Sequence, residues 1–270
     1  MERVASTIDG ANSHRTILEE KTCTNRVLGV VFKVTMLHQY EITLAGDKFK
    51  GVGQLRDLLI DMEAIKYCST GSFLSAMLFK RPFKGTFDLL VEDESQAFEI
   101  AADRCNVDRK KGTMTFKGDD LSGFKIRVYD TVSRHEQVRN YLIENSNLET
   151  CFITDADSRV DKLDIRIPKR GVALMQILLE LDGDEAKMVH CVEKIVWSLA
   201  NVGVATLLRD VRFMPQDLVD QAAELISEVM VEHANKTISA LRVHGSEPFR
   251  TLSSVELKKF GKPFAALLKA

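Results

Sequence analysis

The chain has 270 residues, 37 basic and 39 acidic side chains, a formal net charge of −2, 45% hydrophobic and 28% charged residues. It is long enough to bury a core without covalent staples, and too evenly charged for chain-wide attraction to nucleic acid or an anionic membrane. Five scattered cysteines, at 23, 68, 105, 151 and 191, make no CxxC or Cys/His cluster, which favours reduced thiols over a disulfide or zinc framework.

Residues 1–24 are polar and interrupted by Gly10 and Asn12, and are expected to form a flexible arm. They lack the apolar stretch of a secretion signal. No later run is long enough to cross a bilayer, so a cytoplasmic location is the expectation. Residues 27–46, VLGVVFKVTMLHQYEITLAG, have the branched and aromatic composition of strands. Val30, Phe32 and Val34 share one face and Tyr40, Ile42 and Leu44 another, which predicts a hairpin turning near Leu37 and His38. After Gly51 the spacing becomes helical, with Val52, Leu55, Leu58, Leu59 and Met62 inward and Gln54, Asp57 and Asp61 toward water.

Phe87 to Val91 is a predicted strand, and Asp93 with Gln96 marks the capped entrance of the next helix. TMTF at 113–116 and FKIRVY at 124–129 form a predicted hairpin, with Phe124, Ile126 and Val128 on one face. Ser133 and Glu136 have capping-box spacing before another helix. Residues 151–154 are a short strand. Leu163, Ile165 and Ile167 alternate up to Pro168, which cannot donate the next ladder bond. RGVALMQILLELDG at 170–183 then echoes KGVGQLRDLLIDME at 50–63 in its Gly-Val and Leu-Leu pairs, as a duplicated unit or a common way of starting a helix.

Beyond Asp182 the pattern is helical. Asp182 and Glu185 have capping-box spacing ahead of Met188, Val192, Ile195, Leu199 and Val202, with a stop near Gly203. Pro215 opens a long helix lined by Leu218, Ala222, Leu225, Val229 and His233. Ser253 and Glu256 open a last helix that carries Val255, Leu257 and Phe260 toward Pro263. The fold class is therefore α+β: antiparallel hairpins interspersed with helices over 25–183, then a mainly helical region over 184–270, on the same core or as a separate lobe.

Few residues suggest chemistry. Asp155, Asp157 and Asp161, with Asp182 and Asp184 more remotely, offer carboxylates to a hard metal, but the full calcium-loop pattern is absent and they read as solvated loop residues. His190 and Cys191 are helix neighbours that point in different directions. Ser69 to Ser72, STGS, is a small polar turn without a phosphate-loop signature. No cofactor is implied.

Two basic stretches stand out. Lys80, Arg81, Phe83 and Lys84 interleave cations with an aromatic ring, and Arg109, Lys110 and Lys111 follow in a second turn, a combination suited to single-stranded nucleic acid. Phe79 and Phe83 can equally anchor their loop in the core. At the tail, Phe260, Phe264, Leu267 and Leu268 fill the chain's own core or dock onto a second subunit or protein partner. The function expected is non-catalytic binding or assembly, with self-association. The alternatives are a single-stranded nucleic-acid binder and an enzyme built from scattered Asp, His or Cys residues.

Overall fold

The chain divides into two units. One comprises residues 1–129 and 148–167, the other residues 130–147 and 168–270. The computed structural model describes residues 23–27, 30–34, 40–44, 47–81, 83, 85–118, 125–130, 136–155, 160–181 and 183–270. Most of the expected arm, the Ser133 cap and the Leu37–His38 turn lie outside them.

In the first unit β1 (Cys23–Val27) pairs antiparallel with β2 (Val30–Val34). The expected hairpin of 30–34 with 40–44 is not formed. The two residues between β1 and β2 are the shortest connection an antiparallel pair takes, so β2 finds its partner upstream. β3 (Tyr40–Thr43) instead pairs in parallel with β9 (Asn147–Thr154), Tyr40 opposite Cys151, and β10 (Val160–Ile167) flanks β9 on its other side. The expected sharing of a face by Tyr40, Ile42 and Leu44 holds, since all three are buried.

After the short α1 (Asp47–Lys50), α2 (Val52–Met62) buries the five predicted residues Val52, Leu55, Leu58, Leu59 and Met62. Its outer side carries charge that is used: Arg56 meets Asp161 at 2.6 Å, and Arg104 reaches Asp61 at 2.6 Å and Asp57 at 3.7 Å. Glu63, just past the helix, takes a two-pronged bond from Arg166 of β10. These ion pairs are solvent-exposed, so they orient surfaces more than they stabilise them.

A third sheet in the same unit has five strands. β4 (Tyr67–Thr70), β5 (Thr86–Val91), β8 (Lys125–Tyr129), β7 (Thr113–Phe116) and β6 (Cys105–Asp108) lie side by side in that order. The β7–β8 hairpin forms as predicted, with Thr113 opposite Arg127. β5 and β8 are parallel, because a crossover of α4 (Glu94–Ala101) and the β6–β7 hairpin separates them in sequence. Asp93 caps α4 as expected, accepting the Gln96 amide at 3.0 Å. α3 (Gly71–Phe79) packs on β3, β4 and β5 and buries seven consecutive residues, Phe73 to Phe79. With apolar contacts all round, its helical period is invisible in the sequence.

Alternation gives β8, β7 and β6 two unlike faces, whereas β4 and β5 are buried on both sides, with Cys68, Asp88 and Leu90 enclosed as well as Phe87, Leu89 and Val91. Phe87, Leu89, Val91, Ile126, Val128, Met114, Phe116 and Cys105 make the dry face, all buried. α4 lies against β6 and β8, with Ala97, Phe98 and Ala101 buried.

The second unit is helical. α6 (Arg170–Leu179) is its centre, in contact with α5 (Glu136–Glu144), α7 (Glu185–Asn201), α8 (Val204–Val211) and α9 (Gln216–Ser227). The echo of α2 has different roles at its two glycines. Gly51 stands at the N-cap of α2, whereas Gly171 lies inside α6, where its N–H donates to Asp210 and an added Cβ would stand 2.6 Å from the Leu207 carbonyl. α7 is capped by Asp184, which accepts the amides of Ala186 and Lys187, and not by the Asp182–Glu185 spacing; a short Asp side chain beside the first turn reaches those amides directly. Gly203, at φ +90, ends it as predicted.

Pro215 opens α9, but the long helix expected after it is interrupted. A π-helical turn, Glu228–Glu232, precedes α10 (Ala234–His244), and His233 is exposed rather than inward. Thr237, buried, donates its hydroxyl to the Val229 carbonyl at 2.6 Å and so satisfies a backbone group within the turn. After α11 (Glu247–Arg250), α12 (Ser254–Leu268) begins with the predicted box: Ser253 accepts the Glu256 amide while Glu256 accepts the Ser253 amide. The helix runs through Pro263 to Leu268. Pro263 and Lys259 both face solvent, so water can satisfy the carbonyl that proline leaves unbonded. Gly261 lets α12 meet the π-helical turn, because a Cβ there would come within 2.6 Å of the Met230 Cβ.

Replacing Ser253 by Ala removes the α12 cap. The expected loss is about 1 kcal/mol. It would appear in urea unfolding as a lower midpoint at unchanged slope, and an unaltered midpoint would show that the cap contributes nothing.

Candidate functional site

The five-stranded sheet carries a polar row on the face away from α4. Register places Thr70 of β4 opposite Asp88 of β5, Asp88 opposite Arg127 of β8, Arg127 opposite Thr113 of β7, and Thr113 opposite Asp108 of β6. Directly opposed residues share a face, so one polar row crosses all five strands. The next row holds Thr86, Lys125, Thr115 and Asn106. Asn106, Asp108, Thr113 and Thr115 line a shallow depression of about 250 Å³.

Asp88 is the tightest point of the row. It is 2% exposed, yet it carries a carboxylate. Arg127 donates Nε–H to it at 2.6 Å, and the Ser72 amide at the start of α3 also donates. Burial still dominates and holds its pKa above the usual carboxylate range, against the pull of Arg127 and Ser72. Gly71 explains why the chain can turn here. Its φ is +64, and a Cβ would fall 1.8 Å from the Asp88 carboxylate oxygen, so no side chain fits. Ser72 anchors the same turn by donating to the Thr86 carbonyl, and Ser75 by donating to the Gly71 carbonyl. The STGS stretch is thus a strand-to-helix junction and not an isolated turn.

Arg127 is different. Its side chain is 44% exposed, and its guanidinium lies 5.7 Å from the Tyr129 ring centroid. The arrangement can hold an anion or a planar group on the sheet surface while the carboxylate beneath stays occupied.

The basic residues singled out in the sequence take separate places. Lys80 ends α3 in the left-handed region at φ +52, Arg81 is half-buried, and Phe83 meets Phe73 edge-on at 5.5 Å. Phe79 is in the core. Lys84 lies outside the described residues. Arg109 sits over the Phe98 ring at 5.5 Å, Lys110 is exposed, and Lys111 pairs with Asp108 at 3.2 Å. The first stretch leads into the Thr86 end of β5, whereas the second leaves β6 at Asp108, the row beyond. The two stretches therefore flank opposite ends of the strands.

The candidate partner residues divide. Phe264 and Leu268 are buried in the helical unit's own core, Phe260 is half-buried, and Leu267 is 44% exposed. Of the carboxylates considered for metal, Asp155 is buried, Asp161 pairs with Arg56 and Asp184 caps α7; Asp157 and Asp182 lie outside the described residues. Among the described residues no three His, Cys, Asp or Glu side chains are placed to hold a metal ion. Cys191 is enclosed, with its thiol pushed up to about 12 by burial, while His190 faces outward 3.6 Å from Glu193.

Asp88 and Arg127 were not among the sequence candidates. The available signal was a lone carboxylate inside an apolar strand, FDLLV, which must find a partner when buried. Comparison with known proteins adds no identity: no family model and no curated protein matches the chain. Among solved structures it is similar to a STING-associated CdnE c-di-GMP synthase from Capnocytophaga granulosa, at 12% identity and a TM-score of 0.26, over 83% of this chain and 80% of that one. A likeness of that size carries no statement about activity.

Replacing Arg127 by Gln leaves Asp88 buried with only the Ser72 amide. The expected loss of stability is about 3 kcal/mol near neutral pH. A carboxylate whose folded pKa is raised stabilises the fold most below its unfolded value and loses that contribution as pH rises through the folded value. The variant lifts that folded value further, so its deficit should shrink on acidification. Urea unfolding at pH 5 and pH 7.5 tests this; an equal deficit at both would separate the effect from Asp88.

Proposed function

We propose that the chain is a non-catalytic binding or assembly protein that self-associates through its helical unit. The observation that carries this reading is the set of large apolar side chains left exposed on the helical unit, Val255 and Leu267 toward opposite ends of α12 among them. Val255 is 62% and Leu267 44% exposed, although Leu257, Phe264 and Leu268 of the same helix are buried. Val243 at 67% and Phe213 at 71% add two more large apolar side chains to the surface of the unit. Apolar groups left in water beside a filled core gain by meeting a partner.

The groups most suited to chemistry support the same reading by their commitments. Asp88 holds Arg127, and Glu193 accepts both the amide and the hydroxyl of Ser246 at the start of α11. Four described cysteines are buried, with Cys105 pushed up to about 11, and a protonated thiol is a poor nucleophile. No described helix is long and apolar enough to cross a membrane alone; α7 and α8 reach that composition only as a pair bent by 115°.

Light scattering across about a hundredfold range of protein concentration should give a mass that rises from monomer toward a closed oligomer. Leu267→Glu combined with Val255→Glu should return it to monomer without lowering the melting temperature. A monomeric mass throughout for the unmodified chain would overturn self-association.

A further inference from the structure

We propose that the exposed face of β8, β7 and β6 is a binding site for single-stranded nucleic acid, independent of any self-association of the helical unit. The site is built on β8. Alternation there sends Ile126 and Val128 into the core and leaves Lys125, Arg127 and Tyr129 exposed on one face. Successive residues on that face are roughly 6.6 Å apart along the strand, so cation, guanidinium and ring form a short linear track. Register sets Thr115 beside Lys125 and Asn106 beside Thr115, which adds hydroxyl and amide groups alongside the track.

The ring and the guanidinium are already arranged. Arg127 is fixed from below by Asp88 and sits over Tyr129, so binding would order little that is now free. Unpaired bases have open π-faces and stack on aromatic rings and guanidinium planes, while their phosphates meet cations. In a duplex the base faces are stacked on one another and closed to the ring, so the track fits an unpaired strand better than a duplex. The charges facing the track keep the electrostatic share small. Asp88 offsets Arg127 and Asp108 offsets Lys111, while Arg109 is turned onto Phe98 of α4, leaving Lys125 and, at the Asp108 end, Lys110 as the surplus. About two phosphate contacts correspond to a salt slope near −1.4.

The test is fluorescence anisotropy with the full chain and a labelled uridine oligonucleotide of about ten residues. Saturable binding at low salt is expected, with that shallow slope. Tyr129→Leu should weaken it about tenfold, Tyr129→Phe should retain it, and Lys125→Gln should reduce the slope by about 0.7. Circular dichroism melts establish that each variant is folded. The proposal fails if the unmodified chain shows no saturable binding, or if folded Tyr129→Leu and Lys125→Gln bind as tightly as it does. It fails equally if duplex of the same length or polyglutamate competes as well as the unlabelled single strand.

Discussion

A carboxylate buried in a β-sheet constrains everything around it, and Asp88 does so in the first unit. Moving its charge out of water is costly unless donors meet it, and two do: Arg127 from the neighbouring strand and the Ser72 amide from the start of α3. The amide can arrive only if the residue before it has no side chain, which is why Gly71 occupies a left-handed conformation against the carboxylate. The point where β4 becomes α3, the pairing of Thr70 with Asp88 and the alignment of β8 beside β5 are therefore one solution to one electrostatic problem.

How far the sequence discloses this fold depends on where each element finds its partner. α2, α4, the β7–β8 hairpin and the Ser253 box were legible because their signals are local: an apolar stripe, a side chain reaching the third amide, two alternating runs close in sequence. α3 was not, because Phe73 to Phe79 are buried on every side and leave no polar stripe to set a period. The parallel pairing of β3 with β9 joins residues more than a hundred positions apart, a distance that strand composition does not encode. The break between α9 and α10 depends on Thr237, whose mid-helix hydroxyl reads as neutral until it is seen bonding the Val229 carbonyl.

The candidate site shows the same division. Each basic stretch was visible as a run of cations, but whether the runs converge is a question of strand register, and register places them at opposite strand ends. Asp88 and Arg127 are 39 residues apart. Asp88 alone looks like a misplaced charge in an apolar strand, and Arg127 alone like an ordinary outward residue of an alternating one. The tail behaved similarly: Phe264 and Leu268 follow the i, i+4 stripe inward, while Leu267, one residue away, is turned out by helix geometry alone.

A chain with a net charge of −2 has little long-range field with which to gather a polyanion. Whatever meets the polar face of the sheet must therefore be held by short-range terms, and those depend on how rigidly the contact groups are presented. Here the ion pair between buried Asp88 and half-exposed Arg127 has a second consequence. The bond that makes Asp88 tolerable also fixes the guanidinium over Tyr129, so the same interaction that sets the sheet's register orders its exposed surface. Loss of Arg127 would then disturb fold and surface together, whereas Tyr129 and Lys125, at the rim of the arrangement, can change the surface while the core beneath remains closed.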